Sequence, residues 1–449
     1  MPPIAYTLIA LSLAPLAIYL AIKRPLIFPL GLYVMMVPFD ALLGTTTTLT
    51  RFVAIGTAAT LVFSMIAARR VLAPPKSWTA WALYILLASL SALWTIDPSA
   101  TLLTLGQLLQ LFLFYSILAI YPAERKDVRI LGGIIVASGT LISAFALVGY
   151  AVGFRTQEDR LSVSVGHLIL DPNHIAASLL LPIALAVGTL LETRDIRLRL
   201  SSALTTIMMV AALFLTGSRG GLIALAAMLL YLAWRTRFRL QILTLMSLSG
   251  IASLLQPTVW DRFADKGLTG GSGRLFIWNV GGLALKDHWL TGAGIGAFPS
   301  AYNHELLATY QPIFQGWSRP AHNAYLSAAV ELGILGAVLL VYAWWRSLSD
   351  ARGNVVIEAA IVGLAIASYF LDVMVFKYIW LAFSMAAIVK NAAEPRFLRG
   401  STRPTQVRPR ERILARASAW RDRRFALARP GRVATAGGGP STTAHHEAI

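Results

Sequence analysis

Apolar runs of near-membrane length recur from one end of the chain to the other, separated by short polar linkers and one long polar stretch. The runs are Ile4–Ile22, Leu26–Leu43, Phe52–Ala68, Trp78–Trp94, Leu102–Ile120, Ile130–Val152, His174–Leu191, Ser201–Thr216, Gly220–Trp234 and Leu240–Gln256, then Asn323–Trp345, Val355–Leu371 and Tyr378–Lys390. A helix needs about 20 apolar residues to cross the hydrocarbon of a bilayer, and most runs approach that length. The period-two alternation of membrane β-strands is absent. The pattern therefore predicts an all-α polytopic membrane protein with about 12–13 transmembrane helices. Pro25 and Pro29 leave a re-entrant first hairpin open, which would change the count. The first run is long and has no basic residues ahead of it, so it reads as a span and not as a cleavable signal.

Four regions follow: transmembrane helices over 1–257, a long polar loop with short helices over 258–322, transmembrane helices over 323–392, and a basic tail over 393–449. The tail is rich in Arg, Pro, Ala and Gly and poor in large apolar residues, a composition expected to stay disordered. Its arginines suit either anionic membrane lipid or simple retention on the cytoplasmic side.

The formal net charge of +18 changes meaning once it is located. By alternation of spans, most of the 39 Lys and Arg residues, with the whole tail, fall on one side of the membrane. Only Arg51, Arg155, Arg160, Arg219, Arg262, Lys266, Arg274, Lys286, Arg319 and Lys377 fall on the other. Basic linkers mark the cytoplasmic side, so the 258–322 loop is expected outside and the tail inside. The charge thus needs no nucleic-acid partner. The chain has no cysteine, which excludes disulfides and thiolate ligands.

Candidate chemistry collects on the outer side. Arg219 stands in Thr-Gly-Ser-Arg-Gly-Gly, where one run ends and the next begins almost without a loop. A cation there needs a partner or water, and the free N–H groups of the following helix favour an anion beside it. The competing reading is an arginine that snorkels to the interface. Arg274 follows Gly-Gly-Ser-Gly and opens a short segment carrying Leu275, Phe276 and Trp278, with Ser272 the expected cap. It reads equally as an exposed loop arginine.

His322 follows Arg319 and sits at the junction of the long loop with the next span, beside Asn323. An imidazole can exchange protons near neutral pH, although a polar helix cap explains the position too. Glu331, farther into that span, is expected on nearly the opposite face and structural. Asp171-Pro172-Asn173-His174 opens another span from the same side, after a loop with Arg155, Arg160 and His167. Residues 292–298 look like a nucleotide loop but lack the strand–helix context, so close packing of a re-entrant turn explains their glycines better. His288 and His304 lack zinc-site spacing, and no metal or other cofactor is expected.

Taken together, Thr-Gly-Ser-Arg-Gly-Gly (216–221), Gly-Arg-Leu-Phe-Ile-Trp (273–278), Asp-His-Trp-Leu-Thr-Gly-Ala-Gly-Ile-Gly-Ala-Phe (287–298) and His-Asn-Ala-Tyr-Leu-Ser-Ala-Ala-Val-Glu-Leu-Gly-Ile-Leu-Gly (322–336) resemble the O-antigen ligase/polymerase superfamily. The resemblance covers about 216–336. It implies a GT-C-like glycosyltransferase of the bacterial inner membrane, active on the periplasmic side in surface polysaccharide biosynthesis. Such an enzyme takes a glycan from a polyprenyl (undecaprenyl) diphosphate carrier, inverts the anomeric centre and uses neither metal nor cofactor. The acceptor is a glycan or a lipid-linked acceptor, and membrane lipids surround the protein. The resemblance makes Arg219 and Arg274 the diphosphate ligands and His322 the base for the acceptor hydroxyl. Arg155, Arg160, Arg319 and Asn323 are further candidates for contacts to donor or acceptor. Members often have twelve spans with both termini cytoplasmic, whereas the runs here give one more. Ligases and polymerases share these motifs. Arg155…Gly166 and Arg262…Gly273 fit an Arg-x10-Gly pattern described for polymerases. A transporter or flippase of lipid-linked or anionic substrates is the rival of another class. It would be expected to show broken helices at mid-membrane.

Overall fold

The computed structural model describes residues 15–39, 47–154, 160–165, 168–253, 273–308 and 316–397. Nearly every apolar run is a helix. In chain order these are α1 (residues 15–23), α2 (Leu30–Met36), α3 (Thr47–Ala68), α4 (Lys76–Leu90), α5 (Pro98–Ile120), α6 (Arg125–Ala151), α7 (Pro172–Ser178), α8 (Leu180–Glu192), α9 (Ile196–Leu215), α10 (Arg219–Arg235) and α11 (Arg239–Ser253). The long loop contributes α12 (Arg274–Asp287) and α13 (Phe298–Ala308), and three helices close the bundle: α14 (Ala324–Asp350), α15 (Val355–Ala367) and α16 (Lys377–Ala393). A small hairpin, β1 (Ser164–Val165) with β2 (Leu168–Ile169), precedes α7.

Six helical segments among the described residues are long and apolar enough to cross a membrane: Thr50–Ala68, Pro98–Ile120, Arg125–Ala151, Pro172–Glu192, Ile196–Leu215 and Ala324–Asp350. Shorter apolar helices pack among them. This is the all-α polytopic architecture that the runs predict. One difference is local: among the described residues the α-helix of the second run is the seven-residue α2, which begins only after residues 25–29 around Pro25 and Pro29 have formed turns. Proline lacks the N–H that a helix interior requires.

The helix starts explain themselves. Asp97, Asp171, Asp195, Ser218, Asn323 and Asn354 each accept a backbone N–H of the first turn that follows. Pro98 and Pro172 take the first helical position, where the missing N–H costs nothing. Many large apolar side chains stay exposed along α3, α5, α9 and α14, as lipid-facing surfaces do. Inside, Trp81 of α4 packs on Trp380 and Phe383 of α16 with ring centroids 5.1 and 4.7 Å away.

At the basic end, charges pair across helices. Glu358 is 1% exposed and accepts from Tyr231 at 2.6 Å and Arg235 at 2.9 Å. Asp350 receives Lys390 and the backbone N–H of Ser77.

The described part of the long loop is packed and not draped. Residues 292–297 form a turn in which Gly292, Gly294 and Gly296 all have positive φ. A Cβ on Gly294 would lie 2.1 Å from Thr95 Oγ1, and one on Gly292 2.2 Å from the carbonyl oxygen of Glu331. Their role is close packing, as expected. The turn is stitched into α14, which bends at Gly333 (φ 69°, ψ −174°). That bend releases carbonyls from helical pairing: Val330 accepts from Ala293 N–H at 2.9 Å and Glu331 from Gly294 N–H at 2.8 Å. In return Ile334 N–H donates to the Trp289 carbonyl at 2.8 Å, so these freed groups find partners in the loop.

Candidate functional site

Five short segments meet at the end of the bundle opposite the Glu358 cluster: 160–163, the start of α7, the start of α10, the start of α12, and 319–323 before α14. Each is fixed by its own chemistry. Arg160 donates Nε–H to the carbonyl of Thr216 at 2.7 Å and an Nη–H to Asn173 Oδ1 at 3.0 Å. It therefore ties the turn before Arg219 to the first turn of α7. Ser218 caps α10 by accepting the Gly221 N–H at 3.2 Å. The two glycines after Arg219 are there for packing: a Cβ on Gly220 would sit 2.6 Å from Phe370 Cβ, and one on Gly221 2.7 Å from Ala176 Cβ.

Arg274 is the first residue of α12. The cap position before it is held by Gly273, left-handed at φ 76° with no side-chain cap, and Ser272 lies outside the described residues. One turn later Trp278 donates its indole N–H to the Ala321 carbonyl at 2.9 Å and stacks edge-on against Tyr369, 5.3 Å away. Tyr369 in turn packs on Phe370, the ring against Gly220. An unbroken chain of contacts thus runs from the start of α10 to the residue before His322.

His322 itself is not the helix cap. Asn323 fills that role, its Oδ1 accepting the N–H groups of Tyr325 and Leu326 at 3.0 and 3.1 Å. His322 stands one residue outside the helix in the left-handed region, φ 49°. A non-glycine residue held there stores strain, and such strain concentrates at functional positions. Burial pushes its pKa below the ordinary value of 6.5, the Arg274 and Arg319 charges push the same way, and Asp171 opposes them. The imidazole is therefore held neutral at neutral pH, with a lone pair available. Arg319 sits close by with its Nε buried and unpartnered among the described residues.

The structure brings together more than the sequence singled out. Asp171 caps α7 by accepting Asn173 N–H at 2.7 Å, and its charge reaches both His322 and His174. His174 stacks on Phe376 with centroids 3.8 Å apart, and its Nδ1 lies 3.1 Å from the Tyr378 hydroxyl. The Asp-Pro-Asn-His run carried the signal of a capped helix start, but nothing local tied it to His322. Arg155, His167, Gly166 and Arg262 lie outside the described residues. Among the described residues no group of three His, Asp or Glu side chains converges as a metal ligand set.

Residues 204–341 match a protein-family model described as O-antigen ligase. The chain carries an O-antigen ligase domain. That domain runs from α9 into α14 and contains Arg219, Arg274, Arg319, His322 and Asn323, whereas Arg160 and the start of α7 lie before it. It marks a glycosyltransferase-type enzyme of O-antigen and polysaccharide biosynthesis, ligase or polymerase, set among membrane helices and acting on lipid-linked glycans. No curated protein matches the chain at a significant level.

Proposed function

We propose that the O-antigen ligase domain moves a glycan from a polyprenyl diphosphate carrier to an acceptor hydroxyl on the periplasmic face of the inner membrane, in a single inverting displacement. The observation that carries this reading is His322: strained, partly buried, and held neutral beside Arg274 and Arg319. The acceptor O–H gives its proton to the imidazole as its oxygen attacks the anomeric carbon. The bond from that carbon to the phosphate oxygen breaks, and the electron pair leaves with the diphosphate. Arg219 and Arg274 bind the diphosphate and stabilise the charge it gains, aided by the N-termini of α10 and α12. Bidentate guanidinium contacts suit phosphate oxygens better than an ammonium does. Arg319 adds a third cation to this side, and Arg160 holds the Arg219 turn in place. No metal takes part in this scheme.

Purified protein, lipid-linked donor and acceptor in EDTA test the proposal. Loss of a general base typically costs about 10²–10⁴ in rate. His322→Ala is expected to bind donor and transfer it at least a hundredfold more slowly. Transfer at the wild-type rate would return His322 to a structural role. Abolition of wild-type transfer by EDTA, with recovery on adding a divalent metal, would overturn the metal-free scheme.

A further inference from the structure

Behind the segment that carries His322 lies a cavity of about 170 Å³ that the catalytic reading leaves unused. Its polar wall comes from Tyr84 of α4, Thr104 and Gln107 of α5, Ser327 and Glu331 of α14, and Asp372 of the loop before α16. Ser327 Oγ stands between the two carboxyls, 3.2 Å from Glu331 Oε1 and 3.0 Å from Asp372 Oδ2. Glu331 also accepts the Phe298 N–H at 3.3 Å. These bonds fix the carboxyls without exhausting them, since Asp372 Oδ1 accepts nothing among the described residues.

Opposite them, Tyr84 is only 1% exposed, and its hydroxyl makes no hydrogen bond among the described residues. Neither Thr104 Oγ1 nor the Gln107 amide has a hydrogen-bond partner among the described residues. Polar groups that line a cavity are satisfied by whatever fills it, so unbonded hydroxyl and amide groups beside an uncommitted carboxyl oxygen point to a ligand or water that completes the wall.

The chemistry of that ligand follows from the lining. Lys, Arg and His are absent from it, and two carboxyls are present, so a diphosphate is excluded from this side. Hydroxyl groups both donate and accept, and the wall offers carboxyl acceptors, an amide that does both, and hydroxyls. Leu108, Ile295, Phe298 and Met374 supply the apolar surface against which C–H groups pack. The space has room for several waters or for one pyranose ring. A bare cation would leave most of it empty. Pro320 and Ala324, two residues to either side of His322, also line the cavity. The segment that carries His322 therefore forms part of the wall of this acidic cavity.

We propose that this cavity is a sugar subsite: it takes one neutral pyranose ring of the acceptor glycan through Tyr84, Gln107 and the Glu331–Asp372 pair. The inference rests on the glycosyl transfer proposed above, but its binding test does not.

Saturation-transfer difference NMR on the purified protein, with methyl glycosides of glucose, galactose, mannose and N-acetylglucosamine as probes, reads occupancy directly. At least one glycoside is expected to give a signal. Tyr84→Phe and Gln107→Leu, each confirmed as folded by its melting temperature, are expected to weaken that signal at least fivefold. His322→Ala and Arg219→Ala are expected to keep it. In transfer assays the same two cavity variants should raise the acceptor KM at least fivefold with the donor KM unchanged. Four outcomes would overturn the subsite: no signal from any glycoside with wild-type protein, signals unchanged in both variants, an unchanged acceptor KM, or stabilisation by Na⁺ or K⁺ that Glu331→Gln abolishes while no glycoside binds. If His322→Ala retained transfer while the cavity variants lost glycoside binding, the catalytic assignment would fall and the subsite would stand.

Discussion

Trp278 donates its indole N–H to the carbonyl oxygen of Ala321, 2.9 Å away, and so fastens α12 to the residue before the candidate base. The bond couples two halves of the site: Arg274 lies one turn before Trp278 on α12, and His322 follows Ala321. Trp278→Phe removes the donor but keeps a ring against Tyr369. A net hydrogen bond is worth about 1 kcal/mol, roughly fivefold in rate, and displacement of a reacting group adds to that. Expected is a drop in kcat of about fivefold or more with little change in donor KM, measured at matched protein levels. Unchanged kcat would mean that the loop holds His322 without this tether.

The acidic limb of the pH–rate profile should fall below the ordinary imidazole range, because the folded protein lowers the His322 pKa. The base must be unprotonated, so activity is lost as pH falls through that lowered value and is fully present above it. Burial is the largest cause and survives single substitutions. Arg319→Gln removes a charge that lowers the pKa, so its limb should move to higher pH. Asp171→Asn removes the opposing charge, so its limb should move lower, while the amide oxygen can still cap α7. Shifts in the same direction for both variants would exclude His322 as the titrating group.

Much of this fold is legible in sequence. The apolar runs locate the helices to within a few residues, and Asp-Pro and Ser-Arg-Gly-Gly mark their starts correctly. Two failures are local. Pro25 and Pro29 shorten α2, and Asn323 takes the cap that the pattern also allowed His322. The larger gap is non-local. Asp171 and His322 act on one another across more than a hundred residues, and Ser327 bridges Glu331 on its own helix to Asp372 in the loop before α16. Helical periodicity puts Glu331 on nearly the opposite face from His322. It gave no sign that a cavity lies between α4, α5 and α14 on that other face.

The stitched turn makes a prediction of opposite signs for two glycines. At Gly294 φ is +105° and an added Cβ would meet Thr95 at 2.1 Å, so Gly294→Ala must both strain the backbone and push α5's leading loop aside. Strain of about 1–2 kcal/mol and overpacking of about 1–3 kcal/mol add to a clear fall in melting temperature. At Gly282, inside α12, an added Cβ meets nothing within 4 Å. Gly282→Ala should hold or raise the melting temperature, since alanine gains up to about 1 kcal/mol in a helix. Equal effects at both positions would contradict the packing described for residues 292–297.

Side of the membrane is the assumption on which donor access depends, and single cysteines can read it. The native chain has none, so each introduced thiol reports alone. His304 on α13 has a side chain 73% exposed, and Arg396 after α16 is equally open. Basic linkers are retained in the cytoplasm, and α16 leads into the most basic part of the chain. The candidate site, with α13 beside it, opens at the other end of the bundle. His304→Cys is therefore expected to react with a membrane-impermeant maleimide in intact spheroplasts, and Arg396→Cys only after lysis. The reverse pattern would turn the site toward the cytoplasm. A lipid-linked donor flipped to the periplasmic leaflet would then be out of reach of Arg219, Arg274 and His322, and the proposed transfer would have to be abandoned together with the topology.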